Sequence, residues 1–348
     1  MELPNSAQIL VENLLAVTRI FSPSSMEQEM TEYCSNFLYD YGFNVRTDNN
    51  GNIMAVRGSS GNRDKYVLLN AHMDTYAGAM PIQTKSIQTP YDIEIGNLSN
   101  KYRILQNEIS DFERRMPRKD FVDRELMIEY HQLKQEIDEV EMDHAILSKL
   151  KYDLPYVQTH KMVVKPGYWK PECIKYFDKT SRISAKTKDC KEIYVGGDDK
   201  AGVGLILTLA QLSDQDCKIL LTVREEPPFG RKGGVMDIPP EFFNDVYCDL
   251  TFDKGFGNLL VDMIHNTRLC PKELTSYISG VAKEHCGLQY QLTGGLMCDA
   301  EIICKYVPSV NISNGSYEPH HPGDYIVVPE THKAMCVASR ILWDYNSY

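Results

Sequence analysis

Apolar and polar positions follow two rhythms along this chain. From Ala7 to Phe21 the apolar residues Ile9, Leu10, Leu14, Val17 and Ile20 fall three or four apart, which predicts a helix ending before Ser22-Pro23-Ser24-Ser25. A second helix is expected from about Met26 to Tyr41: Ser25 followed by Gln28 has the form of a capping box, and Gly42 stands just past its end. Phe43-Asn44-Val45-Arg46 and Ile53-Met54-Ala55-Val56 then flank Asn50-Gly51 and predict a hairpin. The next apolar run, Val67-Leu68-Leu69-Asn70-Ala71, reads as a buried strand and stops at His72-Met73-Asp74.

The rhythm changes between Thr75 and about Lys191. Tyr102, Leu105, Ile109, Phe112 and Met116 step by three or four, as do Leu126, Tyr130, Leu133, Ile137, Val140, His144 and Leu147. Pro117 separates the two stripes, so the pattern predicts an antiparallel helical hairpin of coiled-coil type at about 98–151, dense in charge. It reads equally as a solvated structural arm or as a dimerisation or lid device. Pro155, Pro166, Pro171 and the pairs Tyr168-Trp169 and Tyr176-Phe177 suggest irregular strands after it.

From Glu192 onward, apolar runs alternate with helical patterns: Ile193 to Val195, Gly202 to Leu212, Ile219 to Val223, Val246 to Phe252, Val307 to Ile312 and Tyr325 to Val328. This alternation predicts an α/β fold, a mixed and largely parallel sheet sandwiched by helices. The expected organisation is a discontinuous core, 1–75 and 191–348, interrupted by an insertion at 76–190.

Composition narrows the function. A formal net charge of -11 argues against a protein that grips nucleic acid, and 43% hydrophobic residues place the chain among ordinary globular proteins. No run of about 18 apolar residues exists to cross a membrane, and the first residues lack the basic start and apolar run of a signal peptide. The ten cysteines are scattered singly and are expected to be reduced. A soluble, cytoplasmic protein is expected.

Candidate chemistry sits at the ends of the apolar runs. The series is His72-Met73-Asp74, then Gly196-Gly197-Asp198-Asp199-Lys200-Ala201-Gly202, Arg224-Glu225-Glu226, Phe252-Asp253-Lys254-Gly255 and Tyr317-Glu318-Pro319-His320-His321. Divalent ions need several oxygen and imidazole ligands converging from different elements, and strand ends of one sheet deliver them. In a Glu-Glu pair one carboxylate can bind metal while its neighbour takes a proton from water.

In this order, and together with Ser22-Pro23-Ser24-Ser25-Met26-Glu27 and Asp48-Asn49-Asn50-Gly51-Asn52, these motifs resemble the co-catalytic dinuclear metallopeptidases that include tripeptidase T and the glutamyl and tetrahedral aminopeptidases. The resemblance covers both flanks of the insertion and implies a zinc-exopeptidase-like core. It further implies two divalent ions, Zn2+ with Co2+ and Mn2+ as alternatives. His72 and Asp253 would hold the first, Glu226 and His320 the second, and Asp198 would bridge them. Glu225 would be the general base and Asp74 would orient His72. His321 is an alternative ligand, although the Tyr-x-x-His register favours His320; Asp299 matches a segment near the site and reads as support. In such enzymes the Asp-Asp peptide is often cis, which would aim Asp198 between the ions.

The implied reaction is amide hydrolysis by metal-bridged water, with an aminopeptidase acting on short peptides as the leading reading. A deacylase or amidase of another small substrate on the same core is the alternative, and a non-catalytic scaffold using the arms for partners is a third. Two departures stand out. Pro227-Pro228-Phe229-Gly230-Arg231-Lys232-Gly233-Gly234 replaces the usual short turn after Glu226, and only 66 residues separate Asp253 from His320, too few for the lid of tripeptidase T. The insertion lies instead between Asp74 and Asp198, where the tetrahedral aminopeptidases place their dimerisation domain; those domains are mostly β and this one reads as helical, so position favours an aminopeptidase-type enzyme, and a homo-oligomer through the helical insertion is one reading of the arms.

Overall fold

A computed structural model describes residues 5–58, 66–76, 82–86, 90–115, 124–152, 160–164, 173–177, 179–186, 192–226 and 233–346. Two helices, α1 (Asn5–Thr18) and α2 (Gln28–Asp40), lead to β1 (Asn44–Thr47), β2 (Ile53–Arg57) and β3 (Tyr66–His72). Then come β4 (Ile82–Ser86), α3 (Pro90–Arg115), α4 (Arg124–Tyr152), β5 (His160–Val164), β6 (Ile174–Phe177), β7 (Arg182–Lys186) and β8 (Glu192–Ile193). Next are α5 (Gly197–Leu212), β9 (Cys217–Thr222), β10 (Val246–Lys254), β11 (Leu259–Ile264) and β12 (Thr267–Arg268). The chain closes with α6 (Lys272–Cys286), β13 (Gln291–Gly295), α7 (Ala300–Ile303), β14 (Ser309–Ser313), β15 (Ser316–Tyr317), β16 (Tyr325–Val327) and α8 (Val328–Asn346).

The main sheet runs β1-β2-β9-β3-β10-β14-β11-β12, with β13 on β11. Its centre is parallel: β9, β3, β10 and β14 point the same way, and only the flanks, β1-β2 and β11-β12, bring antiparallel pairs. All six residues of β9 are buried, as in a sheet covered on both faces. Leu10, Leu14 and Val17 of α1 join Leu69, Ala71, Val203, Ile206, Leu250 and Ile341 in one apolar cluster, so helices pack directly on the central strands. Parallel strands align their carboxyl ends, and that edge is where open α/β sheets gather functional side chains.

Two compact units emerge. One comprises Met1–Ile82 and Val164–Tyr348, the other Gln83–Val163. Strands β6 and β7, which the sequence pattern assigns to the insertion, therefore belong with the core. There β6 and β7 join the small sheet β15-β16-β7-β6, with β8 on β7. Within the second unit α3 and α4 pack through Leu105, Ile109, Ile137 and Val140, supported by Leu98, Tyr102 and Leu133. These are the positions of the sequence stripes; Met116 and Pro117 lie outside the described residues.

The capping box at Ser25 does not form. Helix α2 starts at Gln28 after Glu27 with no side-chain cap, and Ser25, at φ 71, donates its N–H to Glu27 Oε1 at 2.8 Å. The hairpin turn does form as expected: Asp48 Oδ1 accepts the amides of Asn50, Gly51 and Asn52 at 2.8–2.9 Å, and Gly51 takes the positive φ that a side chain would resist.

Candidate metal centre

The end of β3 is clamped before it does any chemistry. Ser22 Oγ donates to the Met73 carbonyl at 2.9 Å, Ser24 Oγ donates to Asp74 Oδ2 at 2.6 Å, and Pro23 bridges to Thr75. The Ser-Pro-Ser motif thus fixes His72-Met73-Asp74 from α1's side. Asp74, fully buried, spends its carboxylate on main chain: Oδ1 accepts the Glu225 N–H at 3.0 Å and Oδ2 the Glu226 N–H at 3.1 Å. Its carbonyl oxygen, not its carboxylate, is the near partner of His72, 2.9 Å from Nδ1, against 3.5 Å for Oδ1. A carbonyl only accepts, so Nδ1 carries a proton and Nε2 is the nitrogen left to face the acids.

That Nε2 faces two carboxylates, Asp198 Oδ1 at 3.4 Å and Asp253 Oδ1 at 3.6 Å. The other oxygen of Asp198 lies 3.5 Å from His320 Nε2, which also sits 2.8 Å from Glu226 Oε1. Asp198 therefore spans two clusters. Three sets of donor atoms lie close enough to hold an ion: His72 with Asp199 and Asp253, His72 with Glu225 and Glu226, and Asp198 with Glu226 and His320. Of the adjacent pair, His320 rather than His321 joins His72 among the acids. Its ring lies against Tyr76, centroids 4.5 Å apart and tilted by 33°.

Asp199 was not expected to act, and its geometry gives it a structural task. It accepts the backbone N–H of His72 at 3.2 Å, that of Gly202 at 2.9 Å and the Asn314 amide at 2.7 Å. The Asp198–Asp199 peptide is cis, and the two neighbouring carboxylates serve different walls. Asp324 accepts the amides of Val195 and Gly197 at 2.6 and 2.8 Å and holds the turn that bears Asp198. Asn311 exchanges two 3.0 Å hydrogen bonds with the main chain of Asp253. Fully buried Lys200 donates to the Ile20 carbonyl at 2.6 Å, tying the start of α5 to the end of α1. Burial lowers its ammonium to about 7. Asp299 accepts the Thr222 hydroxyl beside these groups, in keeping with a supporting place.

Electrostatics follow from this crowding. Burial works against ionisation of Asp198, but the hydrogen bond and charge of His72 outweigh it and hold that carboxyl below the ordinary range. Burial pushes Glu225 well above the usual glutamate value, and the charges of Asp253, Asp299 and Glu226 add to it although His72 opposes them. Among the described residues, Asp198, Asp253 and Glu226 pair only with the two histidines. A carboxylate excess of this kind, mixed with imidazole nitrogen, suits divalent Zn, Co or Mn. The residues present fit such ions. The segment Pro227 to Lys232 lies outside the described residues.

No protein-family model matches this chain. It is 40% identical over 72 residues to a "Putative LysW-lysine/LysW-ornithine hydrolase" of Pyrobaculum aerophilum, a stretch that is 21% of this chain and 20% of that protein. A protein of the same description from Pyrococcus abyssi is 30% identical over 83 residues, 24% of this chain and 23% of its own. The chain thus spans about a fifth of the length of the curated relatives it matches. Solved structures match along nearly all of it. Aminopeptidase APDkam598 from the archaeon Desulfurococcus kamchatkensis superposes with a TM-score of 0.56 at 14% identity, covering 97% of this chain and 95% of that one. Aminopeptidase PepT from Bacillus cereus gives 0.57 at 12%, covering 97% and 98%. The TET1 peptidase of Pyrococcus horikoshii, which can assemble into a tetrahedron or a large octahedral shell, gives 0.52 at 14%, covering 96% and 99%. This chain carries the fold of those aminopeptidases, the same fold that its ordered motifs resemble.

Proposed function

We propose that this chain is a metal-dependent amide hydrolase of aminopeptidase type, acting on short peptides. The observation that carries the reading is Asp198, whose two oxygens face His72 and His320 from one carboxylate. In this reading His72 and Asp253 hold one divalent ion, Glu226 and His320 hold the other, and Asp198 serves both. Zinc is the proposed metal, with cobalt or manganese as substitutes. When bound, such ions polarise a carbonyl and acidify water.

The chain's own residues do the rest. Glu225, raised by burial and by neighbouring acids, accepts a proton from the attacking water and returns it to the leaving amine. Asp74 fixes the main chain of both glutamates, so base and ligand keep their spacing. Tyr76 limits the orientations of the His320 ring by packing against it.

The short matches to LysW-lysine/LysW-ornithine hydrolases favour a second reading on the same residues, release of an amino acid from an amide that is not an ordinary peptide bond. Metal analysis combined with a screen of aminoacyl, N-acyl and dipeptide substrates tests both. Turnover confined to free amino termini supports the aminopeptidase, and turnover confined to N-acyl substrates supports the second reading. Unchanged turnover by Glu225→Gln removes the assignment of the base.

We place the protein in the cytoplasm: the nine described cysteines are all free thiols, and no helix among the described residues is long and apolar enough to cross a membrane. Self-association through the helical arms is supported by Ile104, Met142 and Ile146, which those helices leave about half exposed or more.

A further inference from the structure

Apart from the metal-capable clusters, a cavity of about 820 Å3 is walled by the start of α2, the Asp48–Gly51 turn and Arg224. Two ionisable and almost wholly buried side chains line it, Glu27 at 6% exposure and Arg224 at 9%. The Nε of Arg224 has no hydrogen-bond partner. Burial and the charge of Asp74 push the Glu27 carboxyl up to about 8, opposed by the charge of Arg224.

The chain builds this arrangement deliberately. Arg224 adopts φ 58, a conformation that a long side chain resists, which separates its direction from that of Glu225. Gly233 makes room for the guanidinium, since a Cβ there would stand 2.2 Å from Nη1. Glu27 is fixed by the Ser25 N–H at 2.8 Å. A buried guanidinium nitrogen without a partner is costly, and the planar fork it belongs to matches a carboxylate. A carboxyl on the same cavity suits an ammonium, and Glu29 and Glu32 add further negative charge to the wall. Asp48 contributes less, because its oxygens are already taken by the turn amides and the Asn52 side chain.

We propose that this cavity is a second binding site, separate from the metal centre, for a free amino acid with a cationic side chain. Its carboxylate lies on Arg224 and its ammonium groups face Glu27, Glu29 and Glu32. This does not rest on the hydrolase reading, since a chain that cleaves no amide would keep the cavity and both charges.

Calorimetric titration of the full-length protein as purified tests it, with L-lysine as probe. L-Norleucine lacks the side-chain ammonium and cadaverine lacks the carboxylate, so both should bind at least about 10-fold more weakly. Glu27→Gln and Arg224→Lys, which keeps the charge but not the fork, should each weaken L-lysine by a similar factor, while His320→Ala leaves its affinity unchanged. Absence of L-lysine binding overturns the proposal. So does binding that ignores Glu27→Gln and is lost in His320→Ala, which would put the ligand at the metal centre. If Arg224→Lys fails to fold by circular dichroism, Glu27→Gln and the two lysine analogues decide the matter.

Discussion

Asp74 holds Glu225 by the main chain, its Oδ1 accepting the Glu225 N–H at 3.0 Å, while Oδ2 does the same for Glu226 at 3.1 Å. One carboxylate therefore sets the spacing between a proposed base and a proposed ligand. Asn at position 74 has a single acceptor oxygen, so one amide must lose its partner. Asp74→Asn is expected to lower kcat by about 10–100-fold with a smaller change in KM, and steady-state kinetics on a dipeptide checks it. An unchanged kcat would mean that the two amides need no such acceptor.

Gly202 gives a sharper structural test. A Cβ at this position would stand 2.4 Å from the Phe252 carbonyl oxygen and 2.5 Å from Asp199 Oδ1, and the first of these is main chain. Gly202→Ala must push α5 away from β10, at a cost on the order of 1–3 kcal/mol or more. Denaturant unfolding should show a lower midpoint. Metal content should fall with it, because Asp199 also holds the backbone of His72.

Asp249 predicts a pH dependence. Its carboxyl is wholly buried in β10, and burial raises it to about 7, against the donated hydrogen bonds of Ser309 and Thr251. In the unfolded chain the same group titrates near 3.9. Folding thus favours the protonated form, so its contribution to stability is intact at low pH, declines as pH rises above about 4 and levels off above about 7. Asp249→Asn removes the dependence. Relative to wild type, its melting temperature should rise between pH 4 and pH 7 and stay level beyond, by an amount on the order of a few kcal/mol in stability. A difference that is flat across that range would show that the native carboxyl is ionised.

Stripping the metal should destabilise the fold as well as stop turnover. Among the described residues the ion pairs of Asp198, Asp253 and Glu226 are then those with the two histidines. An ion held at about 100-fold above its Kd contributes about 2.7 kcal/mol, so chelation should lower the melting temperature and added Zn2+, Co2+ or Mn2+ should restore it. A melting curve indifferent to chelator and to all three ions would oppose the two-ion reading.

Two of the proposed ligands were legible because a buried apolar run leads into them: His72 ends β3 after Val67–Ala71, and Asp253 stands next to the end of β10 after Val246–Phe252. Residues that serve the main chain were not legible. Asp199, Asp324 and Asn314 accept or donate at backbone groups far along the chain, and such pairings leave no periodic trace. The boundary near Val164 was hidden for the same reason, since β7 finds its partner β16 only through pairs such as Ile183 with Ile326. At Ser25 a local rule failed because the residue turns left-handed and gives its N–H to Glu27. The cavity beside Arg224 joins three segments, residues 21–32, 48–51 and 224, whose meeting no periodicity along the chain foretells.

The bridging place proposed for Asp198 would also set an order of assembly during synthesis. His72 leaves the ribosome first, then Asp198, the two glutamates and Asp253, with His320 last. A nascent chain that ends before His320 can gather the set around His72 but not the set of Asp198, Glu226 and His320. Capture of the second ion therefore reports a chain translated beyond residue 320, whereas capture of the first does not.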